Sequence, residues 1–269
     1  MKLRHLIGGS LLTSAGLFLY GSLVESERLR VERRVLPIPG WPRRLDGFTI
    51  ALLADLHLRE SQSVRLGERA VAAALDAQPD MVVLAGDYVG RWKSDSEAML
   101  RHVLEPLILM QGSVVAVPGN RDYLQGDAQS LVPIFEDFGI RLLRNESWNH
   151  LGVTWLGINS ANAHRADPFG AMMSVEGRLP IVALWHEPDM VDWLPEGPLL
   201  MLSGHSHGGQ FLTPWGWAPM TSSEGKRYIR GFYPHAPTPI YVSRGVGTTG
   251  PPSRLFCPPE VSILTLVRA

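Results

Sequence analysis

The chain has 269 residues, 45% of them hydrophobic and 19% charged, with a formal net charge of −1. That balance describes a globular protein with enough length to bury a large core, and it carries no basic field of the kind nucleic-acid binding requires. Its single cysteine, Cys257, excludes an internal disulfide framework and any cysteine-based metal cluster, so metal chemistry here must draw on His, Asp, Glu or Asn.

Lys2 and Arg4 precede an uncharged stretch of 19 residues, Leu6 to Val24, about the length that crosses a bilayer core of about 30 Å. Residues 1–24 are read as an N-terminal membrane anchor, with a cleaved secretory signal as the alternative; the apolar run exceeds the usual signal core of about 7 to 15 residues. Six arginines between Arg28 and Arg44 follow it and outnumber the two cations before it. By the positive-inside rule this favours the cytoplasmic face and leaves the exported side as the alternative. Residues 25–44, charged and punctuated by proline, are expected to form a connector, and residues 45–269 the folded domain.

Short apolar runs then recur: "FTIALLADLH", "PDMVVLAGDY", "GSVVAVPGNRD", "VTWLGIN", "LPIVALWHEPD" and "PLLMLSGHSHGG". Runs of this length suit strands buried on both faces. Between them "SVRLGERAVAAALDAQ" and "SEAMLRHVLEPLILM" have helical spacing, so the order is that of a layered α/β fold with parallel pairing. "PIYVSRGVG" and "EVSILTLVRA" predict further strands, expected in a second sheet packed on the first.

Polar residues of one chemistry gather where these runs end: Asp55 and His57, Asp87, Asn120, His186, and His205 with His207. A lone histidine at a strand end is usually hydrogen-bonded structure; five strand ends sharing one donor chemistry point to a common centre. On an extended chain, Asp55 and His57, and likewise His205 and His207, would point to one side. Seven N and O donors are too many for one tetrahedral zinc and suit two divalent cations sharing a carboxylate. The set, free of sulfur, fits manganese, iron or zinc and does not by itself decide among them; manganese is the expected metal, with iron and zinc as alternatives.

In order, "DLH", "GD", "GNRD", "H" and "GHSH" resemble the motif series of the calcineurin-like metallophosphoesterases. "GHSHGGQ", "IYVSRGVGTTG", "PPEVSILTL" and the N-terminal apolar segment are similar to its bacterial membrane-anchored branch. The resemblance implies a four-layer α/β/β/α sandwich. It also implies one metal on Asp55, His57 and His207, another on Asn120, His186 and His205, Asp87 bridging them, and in-line attack on phosphorus.

Arg121 stands where most of that family has histidine. A guanidinium keeps its proton, so it cannot protonate a departing oxygen, but it can clamp phosphoryl oxygens. The expected substrate is therefore one whose leaving group needs no proton, such as a phosphate with a second pKa of about 6. "GNRD" also resembles the UDP-diacylglucosamine pyrophosphatases, although the "GGQ" tail departs from them. The expected activity is cleavage of a pyrophosphate or phosphodiester bond, in a lipid-linked substrate at the membrane, by a monomer. A generalist phosphodiesterase or phosphatase of the cell envelope and a metal-poor binding scaffold are the alternatives. Asp122 is expected beside Arg121 in the catalytic set, as a residue orienting Arg121 or a ligand. Tyr123 and Arg254 are candidates to line the pocket, and the stretch 159–178, with His164, Phe169, Met172 and Met173, is either an apolar lip or a loop packed on the core.

Overall fold

The computed structural model describes residues 15–126 and 128–269. Two six-stranded sheets lie face to face. The first runs β1 (Arg30–Ile38), β12 (Glu260–Arg268), β2 (Phe48–Leu53), β3 (Met81–Leu84), β4 (Val114–Ala116) and β5 (Arg141–Leu142). The second runs β10 (Gly231–Tyr233), β11 (Ile240–Val242), β9 (Leu200–Ser203), β8 (Ile181–Trp185), β7 (Val153–Ile158) and β6 (Glu146–His150). The apolar runs read as doubly buried strands are so: β3, β4 and β9 are buried at every residue.

Three apolar clusters separate four layers. Of the helices on the first sheet, α1 (Ser61–Asp76), α2 (Ser96–Leu104) and α4 (Leu131–Asp137) cover its outer face, while the short α3 (Asn120–Leu124) opens the loop after β4. In α1 the buried positions Leu66, Gly67, Ala70, Val71 and Ala74 recur every three or four residues, a single face turned to the sheet. Ile50, Leu52, Val83, Trp155, Leu184 and Leu202 fill the space between the sheets. The outer face of the second sheet has only a thin cover, the short helix α5 (Pro168–Met173) and the 3-10 turn Pro188–Trp193. Helix α2 stops at Leu104 and continues as a 3-10 segment over Glu105–Met110, because Pro106 cannot donate into an α-helical ladder.

Two expectations are corrected. The stretch 25–44 is more than a connector, since Arg30–Ile38 pairs in parallel with β12 along nine residues. It reads as a linker because an edge strand buries little; only Leu36 and Ile38 of it are covered. The last strand does not join the second sheet with β11: it returns to the first and lies antiparallel to β2, Ile263 opposite Ala51.

The expected anchor falls largely outside the described residues, which are helical over 15–23. No helix among the described residues is long and apolar enough to cross a membrane. Phe169 and Met173 of α5 are exposed, whereas Met172 packs on the third cluster, so the stretch 159–178 is at least partly a loop packed on the core.

Candidate metal centre

The seven polar residues singled out in the sequence sit just beyond the carboxyl ends of β2, β3, β4, β8 and β9, where the two sheets meet. Asp55, His57 and His207 offer ligand-type atoms within 4.8 Å of one another, and so do Asp87, His186 and His205; all six are buried. Asp87 faces both groups, with Oδ2 at 3.4 Å from His57 Nε2 and Oδ1 at 3.4 Å from His186 Nε2. His57 Nε2 lies 3.1 Å from His207 Nε2, and Asp55 Oδ1 lies 3.5 Å from His207 Nε2 and 3.9 Å from His186 Nε2.

The convergence is not produced by extended backbone. Asp55, His57, Asp87, His205 and His207 have φ of 53°, 45°, 58°, 68° and 51°, the left-handed region that non-glycine residues seldom occupy and hold only where surrounding contacts impose it. Those contacts are visible. His205 N donates to Asp55 Oδ2 at 2.9 Å, Asp55 N to Gly86 O at 2.9 Å, and Val246 N to Ala54 O at 3.0 Å. Gly86, at φ 88°, lies so close to the next loop that a Cβ there would come within 2.5 Å of Gly119 N and 2.8 Å of His186 Nδ1.

Asp122 is fully buried, and both its oxygens are taken by main chain. Oδ2 accepts from Asp87 N at 2.9 Å and Gly119 N at 2.8 Å, and Oδ1 from Tyr88 N at 3.1 Å. It is a positioning residue that ties the loop after β3 to the loop after β4, not a group that meets Arg121's guanidinium. Arg121 donates its main-chain N–H to Asp87 Oδ1 at 2.7 Å and its Nη2 to Thr249 Oγ1 at 2.7 Å. Tyr123 packs against the first apolar cluster, with the Arg165 guanidinium 6.0 Å from its ring centre. Arg254 does not line a pocket: it is buried and donates to the carbonyls of Gly247, Gly245, Arg244, His207 and Cys257.

Glu187 went unremarked in the sequence. Fully buried beside His186, it accepts from Ser160 Oγ at 2.5 Å, Ala161 N at 3.1 Å and Asn162 N at 3.2 Å. The loop so held brings Asn162 Nδ2 to 3.3 Å from His205 Nε2, which also faces Ser223 O at 2.5 Å. Asn120, Asn162, His164, Met190 and Trp193 then line a groove of 640 Å³ leading from the centre.

Burial dominates the electrostatics. It pushes the Asp55 carboxyl up to about 7 against the opposing His186 charge, and holds His57 down to about 3 despite Asp87. Burial works to raise Asp87 too, but His186 outweighs it and keeps Asp87 below the carboxylate range. Asp87 in turn carries His186 well above an ordinary imidazole, although burial acts to lower it. Asp55 Oδ1, Asn120 Oδ1 and His186 Nε2 are buried without a hydrogen-bond partner. Buried ligand-type atoms without hydrogen-bond partners among the described residues, free of sulfur, fit oxygen- and nitrogen-seeking divalent cations, which would displace the stored protons.

A family model described as calcineurin-like phosphoesterase matches residues 48–233. The chain is 33% identical over 227 residues to Phosphodiesterase YaeI of Escherichia coli, covering 82% of each chain. It is 26% identical over 267 residues to the uncharacterized metallophosphoesterase YkuE of Bacillus subtilis, covering 95% of this chain and 91% of that one. To the UDP-2,3-diacylglucosamine pyrophosphatase LpxG of Chlamydia muridarum it is 25% identical over 304 residues, covering 92% of each.

Proposed function

Because this chain belongs to the calcineurin-like phosphoesterase family, we propose that it hydrolyses a phosphoanhydride bond in preference to an alkyl phosphodiester, using two divalent cations held by Asp55, His57, Asp87, Asn120, His186, His205 and His207. The observation that carries this reading is the pair of buried triads facing one shared carboxylate, with ligand-type atoms of Asp55, Asn120 and His186 left without hydrogen-bond partners among the described residues. Bound there, two cations supply Lewis-acid stabilisation of phosphoryl oxygens and a reactive oxygen nucleophile.

The chain's own residues set the rest. Asp122 and Glu187 hold the loops that aim Asp87 and Asn162. The Arg121 guanidinium, fixed at Thr249, is placed to bind a phosphoryl oxygen and has no proton to give. A phosphate leaves without one; an alkoxide does not. Burial of the six triad residues keeps bulk water from the charges being stabilised.

A lipid-linked substrate at the membrane extends the same reading, with the N-terminal segment as anchor, the domain on the cytoplasmic side and manganese as the working metal. It is supported by the uncharged stretch Leu6–Val24, by Leu19 and Leu23, 56% and 71% exposed on the described part of that segment, and by the name of the Chlamydia relative.

The test is hydrolysis of UDP-diacylglucosamine beside an alkyl phosphodiester by chelated and manganese-reloaded protein, with Arg121→His in parallel. We expect manganese-dependent turnover favouring the pyrophosphate, and a shift of preference towards the diester in the variant. Equal rates on both substrates in both proteins would remove the leaving-group argument and favour a general phosphodiesterase. Activity that survives chelation would remove the metal reading.

A further inference from the structure

Arg59 lies two residues beyond His57, and its side chain turns back to the loop 248–250. Nη2 donates to Thr248 O at 2.6 Å and Thr248 Oγ1 at 2.8 Å, and Nη1 donates to Gly250 O at 3.2 Å. Arg121, from the short helix after β4, reaches the residue between them, Thr249. Two guanidinium groups therefore converge on three consecutive residues. The loop is braced in its turn: Thr249 N donates to Gln210 Oε1 at 3.0 Å, Gln210 Nε2 to Thr249 O at 2.9 Å, and Gly247 N to Asp55 O at 2.6 Å. The Arg59 stem is fixed as well, since a Cβ on Gly90 would come within 2.5 Å of its Cγ.

Every bond these two guanidiniums make among the described residues goes to a neutral oxygen. Both side chains are half-buried. Two like charges partly withdrawn from water and bonded only to neutral groups are held at a cost that an anion between them would offset. Both retain free donors: among the described residues Arg59 engages three of its five N–H groups and Arg121 one.

We propose that Arg59 and Arg121 form a two-guanidinium clamp, hung on Thr248–Gly250, that binds the second phosphoryl group of a phosphoanhydride while the reacting phosphoryl lies at the metal centre. The arginine fork matches phosphoryl oxygens geometrically. An alkyl or aryl group in the same place brings no charge to meet. The clamp deepens the hydrolase reading, on which it rests, and assigns Arg59 to substrate selection.

The experiment is calorimetric titration of the full-length manganese-loaded protein, freed of excess metal, with methylenediphosphonate and with methylphosphonate. Wild type is compared with Arg59→Gln and Arg59→Lys. We expect wild type to bind the diphosphonate at least about tenfold more tightly than the monophosphonate. Arg59→Gln should lose about tenfold to a hundredfold on the diphosphonate alone, the range for losing charge-assisted hydrogen bonds, with Arg59→Lys in between. Equal diphosphonate affinity in wild type and Arg59→Gln would overturn the clamp. A parallel loss on both probes would also overturn it, assigning Arg59 to bracing the loop. Turnover of UDP-diacylglucosamine and of bis(p-nitrophenyl) phosphate by the same wild-type sample is read separately: absence of both speaks against the hydrolase reading, while an Arg59→Gln loss confined to the diphosphonate decides the clamp.

Discussion

Replacing Asp122 by alanine should destabilise the fold strongly and loosen the candidate metal centre. The carboxylate accepts three main-chain N–H groups, those of Asp87, Tyr88 and Gly119, at 2.8 to 3.1 Å in a fully buried position. Without it three donors lose their partner, each at about 1 kcal/mol or more, so the loss is at least about 3 kcal/mol. Burial, aided by the Asp87 charge, pushes the Asp122 carboxyl up to about 7. Part of what its amides contribute is therefore already spent on desolvation, which keeps the expected loss near about 3 to 4 kcal/mol. At about 2 °C per kcal/mol for a chain of this size, Tm falls by about 6 to 8 °C. Asparagine keeps one acceptor oxygen. Turned to serve Asp87 N and Gly119 N, it leaves its amide against Tyr88 N alone, so Asp122→Asn should lose about half as much. Scanning calorimetry gives the Tm, and metal analysis after dialysis shows whether Asp87 and Asn120 still hold cations once their loops part. A Tm within about 2 °C of wild type together with an unchanged metal content would refute the assignment of Asp122 as the tie between these loops.

Gly86→Ala forces a Cβ to within 2.5 Å of Gly119 N at a φ of 88°, a strain of about 2 to 4 kcal/mol; metal content and Tm should fall together, and their retention would contradict the packing described. Cation binding must displace the proton on Asp55, raised to about 7 by burial, and the one on His186, raised by Asp87. Both are bound below their raised values and released above them, so manganese affinity should increase from about pH 6 to about pH 8 with measurable proton release in calorimetry, and a pH-independent affinity would refute it.

The seven converging residues were legible because each follows a buried strand, and strand ends announce themselves as the place where an apolar run stops. How they converge was not legible. An extended chain would align Asp55 with His57, yet both are left-handed, a geometry imposed by Gly86, Val246 and His205, which are remote in sequence. Glu187 goes unread in the sequence, and Asp122 reads as orienting Arg121 or a ligand without its partners, for a related reason: those partners are mostly backbone amides, and an amide leaves no mark in the residue alphabet. Arg59 carried no signal in the sequence, since the Thr248 it bonds lies 189 residues away. Strand β1 hid behind its charges, since an edge strand with two buried residues has almost no period-2 signal.

The place of β12 between β1 and β2 bears on how the protein would acquire cations in the cell. His207 leaves the ribosome long before Glu260–Arg268, yet the first sheet has a gap until that last strand arrives. The segment Gly245–Gly247 is made only shortly ahead of it, and from there Val246 N donates to Ala54 O and Gly247 N to Asp55 O. A nascent chain thus carries all seven donors before it can arrange them, and the pocket closes only once synthesis has passed β12. Divalent ions compete by availability as much as by affinity. The compartment in which that strand docks then sets which ions are at hand when the site first closes.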